Sequence, residues 1–176
     1  MAEGMTWLKR PMWGHGPLPA GQKGAGGGSF DYGTMTTEDI KALRIPAAKD
    51  CVLFLWVTVA MWPQGLAVMS AWGFTYKSAY FWFKPGPGHG YWSQRDQVEV
   101  LLVGTRGNVP APAPGTQPPQ LITAPRGQHS AKPVAFAEMI ERLYPNVPKL
   151  EMFARSARAG WDVWGAEVVS RREDAA

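Results

Sequence analysis

The sequence has a single cysteine, only three histidines and no long apolar segment. One cysteine cannot form an intramolecular disulfide or a multi-cysteine zinc site, so Cys51 is predicted to be a small buried apolar residue. His15, His89 and His129 lie far apart in predicted loops, which argues against a metal site. No segment approaches the roughly 18 apolar residues of a membrane span or resembles a signal peptide. We therefore expect a cytoplasmic protein with no metal and no membrane partner.

Charge is also scarce, because 18 basic and 14 acidic residues leave a net charge of only +4 in 176 residues. This mild excess weakly favours attraction to polyanions. Lys84, Arg106 and Arg126 fall on predicted loops at strand ends, where they are candidate nucleic-acid contacts. The alternative is that they are scattered, solvated charges. A hydrophobic content of 45% predicts one folded domain with a sizeable core.

Residues 1–31 are rich in glycine and proline and are predicted to be irregular. A dinucleotide-binding glycine fingerprint is rejected there, because no predicted strand precedes the glycines and no helix follows them directly. Thr36 or Thr37 is predicted to cap a short helix that Pro46 ends. The sequence thus divides into an irregular segment (1–31), a folded domain (32–170) and a charged tail (171–176).

Apolar patterning predicts an alternation of strands and helices within the folded domain. The run CVLFLWV has the length and continuous apolarity of a strand buried on both faces, which favours a parallel sheet with helices on each side. Residues 108–119 are too rich in proline for regular structure. The order strand, helix, strand, strand, helix, strand predicts a three-layer α/β domain. The first five elements are predicted at residues 51–57, 60–72, 76–83, 97–104 and 132–144, and the last strand at the start of residues 148–167. The apolar spacing at 60–72 is helical, and Gly73 is predicted to end this helix.

Residues 148–167 place a short apolar strand directly before a small, basic turn and the sequence Trp-Asp-Val-Trp-Gly. Open α/β sheets bind ligands beyond the carboxyl ends of their strands, where the strand order reverses. We therefore expect Glu151 to Arg155 to project into such a crevice. The alternative is a buried edge strand followed by an exposed basic loop.

Nine segments between Tyr32 and Glu167 form a recognisable series. In order they are YGTMTTEDI, VLFLWVT, AWGFTYKSAYFWFK, GYW, EVLLVGTRG, HSAKP, MIERLYP, LEMFAR and GWDVWGAE. Together they resemble the S-adenosylmethionine-dependent adenine N(6)-methyltransferase family that includes the catalytic subunit of the messenger-RNA adenosine methyltransferase and bacterial and phage members. This resemblance implies a three-layer Rossmann-like methyltransferase fold, with a mostly parallel sheet and helices on both faces. Residues 32–170 are then a methyltransferase-like domain.

The resemblance also implies a site for S-adenosyl-L-methionine. The implied cofactor-binding residues are Lys132, Glu151, Phe153, Arg155, Trp161, Gly165 and Glu167. Acidic groups suit the cofactor's ribose hydroxyls and amino group, which need acceptors. Ala166 departs from the family, which often has asparagine there, so we expect weak rather than tight binding.

The family's catalytic signature is Asp-Pro-Pro-Trp after an apolar strand, and here the nearest equivalent is Arg10-Pro11-Met12-Trp13. The exocyclic amine of adenine is a poor nucleophile, and a carboxylate beside it accepts hydrogen and favours attack on the methyl group. Arginine is only a donor and cannot do this. The preceding stretch, residues 5–8, is predicted to be too short for a central strand. Pro11 and Trp13 are candidate catalytic residues, and Tyr32 is implied to flank the base.

The resemblance implies methyl transfer from S-adenosyl-L-methionine to adenine in DNA or RNA. The alternatives are an inactive relative that binds nucleic acid or supports a partner subunit, and a fragment whose amino-terminal strand has been disrupted. A homodimer or heterodimer is compatible with either reading.

Overall fold

A computed structural model describes residues 35–87, 97–127, 131–154 and 156–164, together with the backbone of residues 4–8. Seven strands of this part form one sheet in the order β5-β3-β4-β2-β1-β6-β7. The strands are β1 (Gly4–Leu8), β2 (Cys51–Thr58), β3 (Thr75–Phe83), β4 (Val98–Arg106), β5 (Leu121–Thr123), β6 (Lys149–Met152) and β7 (Asp162–Trp164). The helices are α1 (Thr37–Ala42), α2 (Trp62–Ala71) and α3 (Val134–Leu143), with a short 3-10 helix at Val59–Met61.

The sheet is mixed, since β4 runs antiparallel to both of its neighbours, β2 and β3. The other neighbouring strands pair in parallel. The predicted α/β class is confirmed. The continuous apolar run of β2 favoured a parallel sheet, but β2 is parallel only to β1 and pairs antiparallel with β4 along its whole length. None of the described helices has the length and apolarity that crossing a bilayer requires.

The strand β1 corrects the expectation that residues 1–31 are irregular throughout and that residues 5–8 are too short for a central strand. It lies between β2 and β6, and its five residues pair in parallel with β2 from Gly4 opposite Cys51 to Leu8 opposite Leu55. On the other side Leu8 lies opposite Met152 of β6. A short strand is stable here because both of its neighbours supply backbone hydrogen-bonding partners.

The core lies on both faces of β2, whose residues Cys51–Val57 are all buried. Side chains of successive strand residues point to opposite faces, so this strand contributes to two clusters. Leu53 and Leu55 pack with α1 and α2 residues, whereas Phe54 and Trp56 pack with residues of α3. Residues of α1 and α2 thus join one cluster and residues of α3 the other, and the predicted burial of Cys51 is confirmed.

Local signals fix the helix ends, with one difference from the prediction. The Thr36 side chain accepts a hydrogen bond from the backbone of Asp39, whose carboxylate accepts one from the Thr36 backbone, forming a capping box. The helix ends at Ala42, before Pro46 is reached, because Leu43 is already extended. At the end of α2, Gly73 has a φ of +76°, as the predicted glycine stop requires.

The edge strands β5 and β7 are absent from the sequence prediction. Each has three residues and pairs along one side only, with β3 and β6 respectively. Such short segments lack a periodic signal, so tertiary pairing rather than local sequence determines them.

We predict that Gly65→Ala destabilises the protein although alanine is the better helix former. A methyl group at Gly65 would lie 2.6 Å from Val57 Cγ1 and 3.0 Å from Leu102 Cδ1, because α2 packs closely on β2 and β4. Overpacking costs about 1–3 kcal/mol, which exceeds the gain of about 1 kcal/mol in helix propensity. Urea unfolding measures the difference.

Ala67→Gly is the matched control, since Ala67 is exposed on the same helix. It should lose about 1 kcal/mol from propensity alone. A stabilised Gly65→Ala variant would show that α2 can move away from the sheet without cost.

Candidate active site

The carboxyl end of β6 lies at the point where strand order reverses. In the sheet β1 lies between β2, the next strand in the sequence, and β6, which comes late in the sequence. The ends of β1 and β6 are adjacent, because Leu8 lies opposite Met152. The segment Arg10-Pro11-Met12-Trp13 begins two residues after β1 in the sequence. Such a reversal is where open α/β sheets bind ligands, as predicted for residues 151–155.

A pocket of about 210 Å³ opens beside this end of β6. One wall comes from the start of α3 and the residues before it, and the other from β6 and the β6–β7 loop. The pocket is lined by Lys132, Pro133, Val134, Ala137, Glu151, Ser156, Ala157, Arg158 and Trp161. The structure thus brings together Lys132, Glu151 and Trp161, which come from separate segments of the predicted cofactor site.

Glu151 is the buried acidic group of this pocket, with only 6% of its surface exposed. Lys132 and Arg158 line the pocket as cations, and Trp161 adds an indole ring. This set offers acceptors for hydroxyl and ammonium groups and donors for a carboxylate. Such groups match the needs of an amino-acid-bearing nucleoside.

Phe153, also predicted to bind cofactor, does not line this pocket. Its side chain packs with the cluster that contains α1 and α2, and its ring lies 5.4 Å from the ring of Trp164. Its backbone has a φ of +58°, in the left-handed region that bulky residues rarely adopt. Backbone strain of this kind costs about 1–3 kcal/mol and is concentrated at functional sites. The strained turn redirects the chain from β6 into the loop that forms the pocket wall.

Glu99 is a residue that the sequence analysis missed. Its carboxylate lies between two buried lysines, with Oε1 3.1 Å from Lys84 Nζ and Oε2 2.6 Å from Lys132 Nζ. The Lys132 ammonium is also 5.5 Å from the centre of the Trp56 ring. Glu99 therefore connects the pocket to β3 and β4 through Lys132. No local pattern distinguishes this glutamate, because its partners lie on other elements.

The ionisation of Glu99 depends on these lysines. Burial raises the pKa of its carboxyl, but the charges and hydrogen bonds of Lys132 and Lys84 outweigh burial and leave the pKa below its ordinary value of 4.5. The carboxylate is thus ionised at neutral pH.

The three predicted nucleic-acid contacts have different surroundings. Lys84 is buried and paired with Glu99, contrary to its expected exposure on a loop. Arg106 donates to the carbonyl oxygens of Ala48 and Trp72, at 2.7 and 3.3 Å. Arg126 is exposed. That these residues bind phosphate stays a prediction, and the internal partners of Lys84 and Arg106 compete with it.

A second carboxylate, Glu141 of α3, holds the β6–β7 loop. Arg158 donates to its two oxygens at 2.7 and 2.8 Å, and Trp161 Nε1 donates to it at 2.7 Å. The hydrogen bond from Arg158 is the main cause that lowers the pKa of Glu141 to about 2. The pocket wall is therefore tied to α3 by one carboxylate.

Other predicted site residues lie outside the described residues. These are Pro11, Trp13, Tyr32, Arg155, Gly165 and Glu167, together with the three histidines. Within the described ranges, no three His, Cys, Asp or Glu side chains come together as metal ligands.

Comparison with known proteins identifies the family. The sequence pattern of the MT-A70 family matches residues 19–167, most of the chain. The chain belongs to the MT-A70 family. This confirms the resemblance found in the sequence, since methyltransferases carrying the MT-A70 name are among its relatives.

Relatives of this MT-A70 protein include bacterial and eukaryotic methyltransferases. The type II methyltransferase M.MunI of Mycoplasma sp is 36% identical over 143 residues, covering 80% of this chain and 61% of the relative. A probable N(6)-adenosine-methyltransferase MT-A70-like protein of Oryza sativa subsp. japonica is 32% identical over 142 residues, covering 74% and 20%. The human N(6)-adenosine-methyltransferase catalytic subunit METTL3 is 30% identical over 148 residues, covering 78% and 25%. The chain thus spans less than two thirds of each of these relatives.

We predict that Glu99→Gln destabilises this MT-A70 protein by about 3 kcal/mol at pH 7, because it leaves two buried ammonium groups without their counter-charge. The charge on Glu99 stabilises the fold above pH 4.5 and ceases to do so as pH falls through its lower, folded-state pKa. The difference between variant and parent in urea unfolding should therefore narrow as pH falls below 4.5.

The double variant Glu99→Gln/Lys84→Met is the matched control. It removes one ammonium together with the carboxylate, so it should be more stable than Glu99→Gln alone. If Glu99→Gln alone were as stable as the parent at pH 7, hydration and not Glu99 would compensate the positive charges of the two lysines.

Proposed function

We propose that this chain contains the S-adenosyl-L-methionine-binding part of an adenine N(6)-methyltransferase with a three-layer Rossmann-like fold. The observation that carries the proposal is the convergence of Lys132, Glu151 and Trp161 on one pocket in a chain of the MT-A70 family. The location of this pocket where strand order reverses supports the same reading. The comparisons favour a methyltransferase over a non-enzymatic binding subunit, and the composition supports a cytoplasmic location.

The pocket residues would divide the cofactor's polar groups among them. Glu151 is an acceptor suited to ribose hydroxyls or the amino group, and Lys132 and Arg158 are donors suited to the carboxylate. Trp161 supplies an apolar wall. S-adenosyl-L-methionine supplies an activated methyl group when bound. At about 210 Å³ the pocket is below the roughly 300 Å³ typical of ligand sites, so these residues would hold only part of the cofactor.

The target in this proposal is adenine in DNA or RNA. Transfer requires an acceptor for the hydrogens of the adenine amine, and the segment after β1 offers Arg10 where the family has aspartate. In the sequence this segment comes directly after β1, which is a central strand. The family signature likewise comes after an apolar strand. Arginine cannot accept, so the proposal includes slow transfer by this chain alone. Phosphate contacts by Lys84, Arg106 and Arg126, and a homodimer or heterodimer, remain parts of the proposal.

We expect S-adenosyl-L-methionine to bind weakly, and Glu151→Gln to raise the dissociation constant about tenfold, because a charged acceptor becomes a neutral amide. Isothermal titration calorimetry at millimolar ligand measures both values. Glu38→Gln is the matched control, since Glu38 is exposed on α1, which packs on the opposite face from α3. No heat from the parent, with folding confirmed by circular dichroism, would refute the cofactor proposal.

We expect little transfer of labelled methyl to adenine oligonucleotides by the parent chain, because removing one preorganised polar partner costs about a hundred- to a thousandfold in rate. Arg10→Asp/Met12→Pro should recover measurable transfer. Arg10→Asn/Met12→Pro is the matched control, since asparagine has the shape of aspartate but lacks its negative charge.

The outcomes of this experiment separate the hypotheses. Robust transfer by the parent would show that another residue, such as Asp31 or Asp96, is the acceptor. If the parent and Arg10→Asp/Met12→Pro are both inactive but still bind cofactor and oligonucleotide, the partner-subunit alternative is favoured.

A further inference from the structure

Glu141 does not line the pocket, but two residues that do line it donate hydrogen bonds to the Glu141 carboxylate. Both oxygens accept from Arg158, and Oε1 also accepts from Trp161 Nε1. Arg158 and Trp161 face the pocket from the β6–β7 loop, whereas Glu141 belongs to α3. One carboxylate therefore fixes two pocket side chains relative to the helix behind them.

The loop is also held by apolar packing, because Trp161 is buried in the cluster that contains Phe136, Met139 and Ile140 of α3, and this packing does not fix the direction of the Arg158 side chain. Ala154 N donates to Trp164 O at 3.0 Å, and Trp161 N donates to Arg158 O at 3.1 Å. Both bonds lie within the segment from the end of β6 to β7, so they shape the loop without attaching it to α3. The bidentate contact with Arg158 attaches it, and the planar fork of arginine fixes direction as well as distance.

We propose that Glu141 is a positioning residue for the cofactor pocket, acting through Arg158 and Trp161 without touching the ligand itself. This inference rests on the proposed function. Without the carboxylate, the guanidinium and the indole lose their shared partner, and the loop must order itself when the ligand binds. That ordering costs free energy, so affinity falls although no group that contacts the ligand has been removed.

The pKa of Glu141 agrees with this role, because the same hydrogen bonds that lower it to about 2 keep the carboxylate ionised across the physiological range. Lys149 also faces this carboxylate and lowers its pKa further. The contact therefore persists at any pH at which the enzyme would be assayed.

The test measures S-adenosyl-L-methionine affinity by calorimetry for the parent, Glu141→Gln and Glu38→Gln, each shown to be folded by circular dichroism. Glu141→Gln keeps the shape but weakens the charged bonds, and it should raise the dissociation constant about tenfold. Glu38 is exposed on α1 and does not line the pocket, so its variant should bind like the parent. Arg158→Lys, which keeps the charge but loses the fork, should also bind more weakly.

A double-mutant cycle separates positioning from a general structural role. In an Arg158→Met background Glu141→Gln should weaken binding by less than about threefold, because its main partner is gone. A tenfold effect in both backgrounds, or equal affinity of Glu141→Gln and the parent, would overturn the inference. If the parent itself fails to bind, the proposed function fails and this inference with it. If the parent binds and Glu141→Gln binds equally well, only the inference fails.

Discussion

Parallel backbone pairing of β1 with β2 and β6 is the constraint on which the site depends. Five residues join the two parts of the sheet, and they place the end of β6 beside the point from which the chain leaves β1. Without this pairing, the crevice beside Glu151 would have no neighbouring strand on its inner side. The sheet thus creates the crevice through its strand order, and side chains from the β6–β7 loop and from the start of α3 line it.

Charge is arranged around this position in two separate groups. Glu99 compensates two lysines on the β3–β4 side, and Glu141 holds an arginine and a tryptophan on the β6–β7 side. Glu99 lies between two ammonium groups that would otherwise repel each other, and Glu141 fixes the guanidinium of Arg158 and the indole of Trp161. Lys132 and Arg158, one from each group, both reach the pocket. The pocket is therefore preorganised by acidic residues, only one of which, Glu151, lines it.

Strong local patterns were sufficient to predict the main elements from the sequence. The continuous apolar run of β2, the helical spacing of α2 with Gly73 and the capping signal at Thr36 all correspond to the structure. The residues Lys132, Glu151 and Trp161 were located by family resemblance, and the structure shows their proximity. Length alone makes residues 5–8 a poor candidate for a central strand, but β1 is stabilised by pairing with neighbours distant in sequence. The partners of Lys84, Glu99 and Glu141 were hidden for the same reason, because no periodicity encodes a contact between separate elements.

The central position of β1 also bears on how the chain folds. Its pairing with β6 joins residues roughly 140 positions apart, and such non-local contacts form slowly because a long loop must close first. Before β1 docks, β2 and β6 each present an unpaired edge, and unpaired edges invite association between chains. Docking of β1 covers both edges at once, so a substitution that weakens this strand would reduce the yield of native protein.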